Sequence, residues 1–296
     1  MPYHLLYPLF SSVTFVFGVM LVKQGISRGA SPWTPTFVAN LWLAIVFGAV
    51  GFSQGEMLPT SGWWPAAAIG LCFVLGQLFT YLAFQLGDVS VATPVFGVKV
   101  LIVAVLMALV TGEIVPARIW SGAILAASGV ALVQSTGLKQ SREKRRSISI
   151  TIGLVMTAAL MLSLFDIALQ HWGPQYRSTL LLPAMFAAAF VLSLGFLPWV
   201  DSVKSLRKQG AFRWILAGTL LMALQAVSMS WSLSRYGDAA RINIVYSLRS
   251  LWGVLIAWSL AHLMGGAEAE HGRRIMLTRL AGAVLLTGAV VLAITA

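Results

Sequence analysis

Apolar residues run through this chain in long stretches that are separated by short polar segments. Each stretch is about 19 to 24 residues long, which is enough for a helix to cross the ~30 Å hydrocarbon core of a membrane. A helix also closes its own backbone hydrogen bonds, as a lipid environment requires. The pattern predicts an all-α polytopic membrane protein with ten transmembrane helices, at residues 5–23, 35–53, 63–86, 91–111, 117–136, 150–172, 178–199, 212–234, 240–263 and 276–295.

Composition supports the membrane interpretation and narrows the class of protein. Only 10% of the residues are charged and 58% are apolar, whereas a soluble domain carries about 25% charged residues. The net charge of +11 is concentrated in the polar segments 141–147 and 204–213, which suits anionic lipid headgroups better than nucleic acid. Cys72 is the only cysteine, so no disulfide framework is expected, and no spacing predicts a metal or a cofactor.

The predicted helices fall into two halves of five. We expect a first unit at residues 1–136, a basic linker at 137–149 and a second unit at 150–296. A shift of 150 residues aligns the halves and matches several features in order: Gly87-Asp88 with Gly237-Asp238, Phe96 with Tyr246, and Lys99 with Arg249. A repeat of five spans must enter the membrane from the opposite side the second time. The sequence therefore predicts a 5+5 inverted-topology repeat, a construction of secondary transporters whose substrate sites lie near the midplane.

One segment has a more specific pattern, from Pro94 to Val133. It holds a proline early in the fourth span, Gly112-Glu113 at the end of that span, and a fifth span with Gly122 and Gly129. The segment resembles the drug/metabolite transporter (DMT) superfamily, in particular its EamA-type ten-helix transporters. The resemblance implies a solute carrier that works by alternating access and often moves amino acids, amines, sugars or nucleotide sugars.

Glycines recur in the fifth and tenth spans. Gly122, Gly129, Gly282 and Gly288 are expected to let helices approach closely, in internal packing or at a dimer face.

Two cations lie deep in predicted spans, and each costs about 2.5–3.5 kcal/mol on insertion scales. Lys99 and Arg249 are expected to face an aqueous cavity and bind a carboxylate or phosphate of a substrate; the alternative is a pair of structural salt bridges. Tyr246 and Trp252 flank Arg249 at helical spacing and extend this predicted site, although Trp252 would equally suit a lipid interface.

Other polar residues complete the candidate site. Asp166 is the one acid well inside a span, and we expect it to exchange protons or to pair with Lys99 or Arg249. Gln77, Tyr81, Gln225 and Asn40 are uncharged polar residues that should avoid lipid, either by lining a cavity or by bonding between helices.

The sequence favours a secondary active transporter of a small polar metabolite in a bacterial-type inner membrane, acting as a monomer or homodimer. Its expected partners are the substrate, the bilayer, and a coupling proton or counter-substrate; it is expected to bind no nucleic acid. The positive-inside rule places both termini outside. A lipid-linked substrate flippase or an accessory membrane subunit is the alternative, and an intramembrane enzyme is a third possibility that lacks a nucleophile or metalloprotease motif.

Overall fold

The structure is a computed structural model that describes residues 2–86, 95–111, 114–133, 142–253, 255–256 and 273–295. Within these residues the chain forms helices and no strand. The helices are α1 Leu6–Ile26, α2 Trp33–Gln54, α3 Trp63–Leu86, α4 Lys99–Leu106, α5 Ala117–Val133, α6 Arg142–Tyr176, α7 Ser178–Leu194, α8 Val203–Lys208, α9 Phe212–Tyr236, α10 Ala239–Tyr246 and α11 Arg273–Thr295. The all-helical expectation is confirmed for the described part of the chain.

The number of membrane spans agrees only in part with the ten that were predicted. Among the described residues, 6 helices are long and apolar enough to cross a membrane; a bent pair, α7 with the segment Leu197–Lys208, would make 7. Two shorter apolar helices, Lys99–Val110 and Ala117–Val133, correspond to the fourth and fifth predicted spans. The ninth predicted span begins as α10, and its last residues lie outside the described part of the chain.

Helix α6 differs from its prediction because it starts at Arg142, inside the segment that was expected to be a linker. Its first residues, REKRR, are good helix formers, so the helix extends out of the apolar region without a break. Pro94, Gly87-Asp88 and Gly112-Glu113, which carried part of the repeat and of the family resemblance, lie outside the described residues.

The principal packing pairs join the two predicted halves. Helix α1 packs along α9, α3 along α6, α2 along α7, and α5 along α11. Serine hydroxyls bind main-chain carbonyls across α1 and α9: Ser11 donates to Gln225 at 3.2 Å, and Ser228 donates to Tyr7 at 3.1 Å. Such polar contacts help to hold helices together where lipid offers no hydrophobic driving force. The two halves therefore interlock.

Glycines set the close approach of α5 to α11. A Cβ on Gly282 would lie 2.6 Å from the Val133 nitrogen, and one on Gly129 would lie 2.9 Å from the Gly282 carbonyl oxygen. Gly122 also faces α11, 3.3 Å from the Ala289 carbonyl oxygen by the same construction. Gly288 makes no such contact with the described residues of its own chain: a Cβ there would meet nothing within 4 Å, because Gly288 lines an apolar groove on the outer surface, so for this glycine the dimer-face alternative stays a prediction.

A tight turn interrupts the helix at corresponding places in the two halves. Residues 97–98 and 247–248 form turns that interrupt the helical hydrogen bonding. The Val98 and Leu248 amides each donate to the carbonyl three residues earlier, at 3.1 Å in both cases. This is the spacing of a 3₁₀ turn. Lys99 and Arg249, 150 residues apart, each come directly after such a turn.

Candidate functional site

Lys99, Asp166 and Asn243 form a hydrogen-bonded cluster inside the helix bundle, on α4, α6 and α10. The Lys99 ammonium donates to Asp166 Oδ2 at 2.7 Å and to Asn243 Oδ1 at 2.9 Å. The Asn243 amide donates to Asp166 Oδ2 at 2.7 Å. All three residues are buried, with exposed fractions of 5%, 1% and 2% respectively. Each member of the cluster therefore contacts the other two.

The amide orientation of Asn243 follows from its neighbours. Its Nδ2 also donates to the Ala239 carbonyl at 2.9 Å, one helical turn earlier on α10. With both amide hydrogens directed to acceptors, Oδ1 is left to accept from Lys99. An ion pair in a low-dielectric interior needs such additional hydrogen bonds, because its Coulomb attraction alone barely offsets the loss of water. Asn243 thus helps to make the buried pair tolerable.

Arg249 is surrounded by aromatic rings. Its guanidinium carbon lies 4.4 Å from the ring centroid of Tyr246, 4.7 Å from that of Phe15 and 5.8 Å from that of Phe96. These distances are within the range of cation–π attraction, which is stronger where water is excluded. Phe15 and Tyr246 also meet edge to face, with centroids 5.8 Å apart. The residue is half-buried, so it is more accessible than Lys99.

Arg249 has no carboxylate partner among the described residues. The acids whose side chains are described are engaged elsewhere: Asp166 with Lys99, Glu56 with Arg177, Asp238 with His4 and Arg241, and Asp201 with Ser31 and Thr34. In the same part of the chain, the Tyr246 hydroxyl accepts a hydrogen bond from the guanidinium and is a neutral partner. The rings lower the energy of the cation without neutralising it.

Each of the two cations lies near an aromatic ring from the other half of the chain. The Tyr246 ring lies 6.0 Å from the Lys99 nitrogen, and the Phe96 ring lies 5.8 Å from the Arg249 guanidinium carbon. The 150-residue shift matches Phe96 with Tyr246 and Lys99 with Arg249, so it converts one of these two contacts into the other. Residues from both halves thus build one site around both cations.

Trp252, expected to flank Arg249, has a different contact. Its indole nitrogen donates to the Ser12 hydroxyl on α1 at 3.1 Å, and its ring is not among those that contact the guanidinium. Of the two residues that flank Arg249 in the sequence, Tyr246 therefore lies against the guanidinium and Trp252 contacts α1.

The uncharged candidates occupy three places. Tyr81 and Gln77 lie one turn apart on α3; both are buried, and neither the Tyr81 hydroxyl nor Gln77 Oε1 has a hydrogen-bond partner among the described residues. Tyr81 belongs to a small buried cluster with Val22 and Met222, against which Phe15, one of the rings around Arg249, also packs. Gln225 is buried on α9 facing α1. Asn40 is buried between α2 and α7, where its amide donates to Ser193 at 2.8 Å.

Two residues of the site were missed by the sequence prediction, Asn243 and Phe15. Asn243 had a usable signal, since an amide in a span avoids lipid and must find a polar partner. Phe15 had none, because an aromatic residue in an apolar helix is commonplace. Ser163 also lies near the cluster: its hydroxyl is 3.5 Å from the Lys99 carbonyl oxygen and donates to the Ala159 carbonyl at 2.7 Å in the preceding turn of α6.

Comparison with known proteins identifies the class. Residues 3–135 match the model of the EamA-like transporter family, within the DMT superfamily. The resemblance recognised in the sequence is confirmed over residues 3–135, which are similar to the EamA-like transporter family, and the chain is a multi-pass membrane protein.

A solved crystal structure extends the similarity to nearly the whole chain. It is 18% identical in sequence, covers 97% of this chain and 95% of that chain, and has a TM-score of 0.66. A likeness at this identity shows the fold alone. No curated protein matches the chain. The comparisons therefore support a membrane transporter and name no substrate.

Proposed function

We propose that the protein is a secondary active transporter that moves a small polar organic metabolite across a bacterial-type cytoplasmic membrane by alternating access. In this proposal the chain has ten spans in a 5+5 inverted repeat, with units at residues 1–136 and 150–296. The family match ends at residue 135, close to the proposed end of the first unit. The similar crystal structure, which spans both halves, favours one continuous fold.

The observation that carries the proposal is the charged site shared by the two halves. Lys99 and Asp166 are nearly fully buried, and Arg249 lies in the same site without an anionic partner in the described part of the chain. Charges inside a membrane protein are expensive and mark substrate or ion pathways. Transporters built from inverted repeats place their sites where the repeats meet. A purely structural role would account for the paired lysine but not for the arginine.

Two local features support the inverted repeat. The 3₁₀ turns before Lys99 and Arg249 have corresponding hydrogen bonds, and the ring contacts exchange between halves. Helices whose backbone departs from ideal geometry at mid-membrane are common at transporter sites, because the loosened segment can line a cavity.

We assign the proposed roles as follows. Arg249, Tyr246, Tyr81 and Gln77 contact the substrate, while Lys99 and Asp166 form a pair that opens and closes with the transport cycle. A proton that neutralises Asp166 would release Lys99, so this pair is also the proposed site of proton coupling. Gln225, Asn40 and Trp252 support the site from α9, α2 and α1 contacts rather than from within it.

The test is transport by purified protein in liposomes. Solid-supported-membrane recordings and radiolabelled uptake would be run with amino acids, hydroxy acids, amines and sugars, with and without an imposed pH gradient. We expect saturable flux of at least one solute in protein-containing vesicles and none in empty ones. Asp166→Asn should abolish any dependence on the pH gradient. A protein that translocates no member of the panel, but binds it, would contradict the transporter proposal.

A further inference from the structure

We infer that Arg249 binds one singly charged anionic group of the transported molecule, and that Lys99 takes no part in that binding. The inference rests on the proposed transporter function and narrows its substrate class. The sequence predicted that both cations would bind the substrate. The structure separates them, because one has a carboxylate partner and the other has aromatic rings.

The charge of the site follows from its pairs. Lys99 and Asp166 are joined at 2.7 Å and together are neutral. Arg249, which cannot lose its proton in a protein, adds one positive charge. The four acids whose side chains the structure describes are engaged by other residues. A single negative group on the substrate would therefore neutralise the site. A second one would be left without a partner in a region where unpaired charge is costly.

The geometry leaves the guanidinium able to bind such a group. Rings of Phe15, Phe96 and Tyr246 lie around it within 4.4–5.8 Å, and the acceptor they supply is the neutral Tyr246 hydroxyl, which leaves the positive charge unpaired among the described residues. A guanidinium carries five donors in a planar fork, and two of them fit the two oxygens of a carboxylate or phosphate. Lys99 has no comparable freedom, since its ammonium is engaged by Asp166 and Asn243.

Tyr81 gives an independent indication that a polar ligand belongs here. The side chain is 1% exposed, and its hydroxyl has no hydrogen-bond partner in the part of the chain that the structure describes. A buried polar group without a partner costs about 1–3 kcal/mol, so such groups are uncommon unless something fills the gap. Phe15 packs against the cluster that contains Tyr81, and Tyr81 interacts electrostatically with Tyr246, so its hydroxyl is assigned to the same anion or to another polar atom of the same molecule.

Binding is tested first with simple anions of matched skeleton. The melting temperature of the detergent-solubilised protein would be titrated with L-lactate, which has one carboxylate, and with L-malate, which has two, at ionic strength held constant with chloride. L-lactate should raise the melting temperature and L-malate should have a weaker effect or none, since ligand that binds the folded state stabilises it. Equal or larger shifts with L-malate would overturn the single-charge assignment.

Variants locate the binding group. Arg249→Gln should raise the apparent Kd for L-lactate about 10- to 100-fold, the factor that charge-assisted hydrogen bonds are worth. Arg249→Lys keeps the charge but loses the fork, so its Kd should lie between the two. The matched control is Arg235→Gln, which removes the same charge from the exposed end of α9 and should leave the Kd unchanged. A Kd unaltered in Arg249→Gln would refute the assignment. Each variant is compared with its own ligand-free melting temperature, so a loss of stability does not imitate a loss of binding.

Flux measurements separate this inference from the transporter proposal. Lactate-dependent stabilisation without flux in liposomes would contradict transport and leave the anion site supported. Flux that survives in Arg249→Gln would support transport and refute the anion site. A phospholipid phosphodiester also carries one negative charge, so the same vesicles would receive fluorescent phosphatidylglycerol with dithionite quenching. Arg249-dependent lipid movement would assign the site to a lipid headgroup, whereas lactate flux without lipid movement would assign it to a dissolved anion.

Discussion

Neutralising one member of the Lys99–Asp166 pair should destabilise the protein far more than neutralising both. In Lys99→Met, Asp166 keeps a buried negative charge with only the Asn243 amide to stabilise it. In Asp166→Asn, the Lys99 ammonium keeps only neutral acceptors. Removing one partner of a buried ion pair costs about 3–5 kcal/mol, because the remaining charge is uncompensated. The double variant holds no charge there, and we expect it to lie within about 2 kcal/mol of the wild type.

The measurement is a double-mutant cycle. Unfolding in mixed micelles with increasing dodecyl sulfate, followed by tryptophan fluorescence, would give the free energy of unfolding for each of the four proteins. The expected coupling energy is about 3 kcal/mol or more. Glu56→Gln and Arg177→Gln form the control cycle: that pair is joined at 2.7 Å as well, but its side chains are 61% and 62% exposed. A pair in water should couple by less than about 1 kcal/mol. Additive effects at Lys99 and Asp166 would refute the reasoning.

Three further predictions concern packing and hydrogen bonds. Gly282→Val should cost about 1–3 kcal/mol of unfolding free energy because its Cβ would meet backbone of α5, whereas Gly288→Val, facing open space, should cost little; equal effects would contradict the assigned contact. Asn243→Leu should destabilise by about 2–4 kcal/mol, since hydrogen bonds to both charges are lost, and a stability equal to that of the wild type would show that the amide is dispensable. Trp252→Phe should cost about 1 kcal/mol by removing the bond to Ser12, while Trp199→Phe at an exposed position serves as its control.

Helix boundaries were predictable where polar residues clearly separate the apolar runs. The predicted third span, 63–86, coincides with α3, and the first two helices agree within a few residues. The interruption before Arg249 was not predictable, whereas the one before Lys99 contains Gly97, which disfavours a helix. Ser247 and Leu248 carry no breaker signal, and the turn there depends on the packing of neighbouring helices rather than on local preference.

The site could be narrowed from sequence but not resolved. Depth in an apolar run singled out Lys99, Arg249 and Asp166, because the cost of burial is readable from position alone. Which cation the acid accompanies is decided by distances between helices, and those depend on how α4, α6 and α10 cross. The Asn243 amide supports the pairing of Asp166 with Lys99, because it is hydrogen-bonded to both. Sequence spacing gives no measure of that proximity.

The pairing of α1 with α9 has a consequence for synthesis. The last residue of α1 is Ile26 and the first of α9 is Phe212, so roughly 190 residues of chain separate the two helices. At a translation rate of about 5–20 residues per second, α1 waits roughly 10–40 s before its partner emerges. During that interval Ser11 and its neighbours face lipid or the insertion machinery instead of α9. A nascent chain stalled before residue 212 should therefore be unusually exposed to membrane quality-control proteases, and completing α9 should remove that vulnerability.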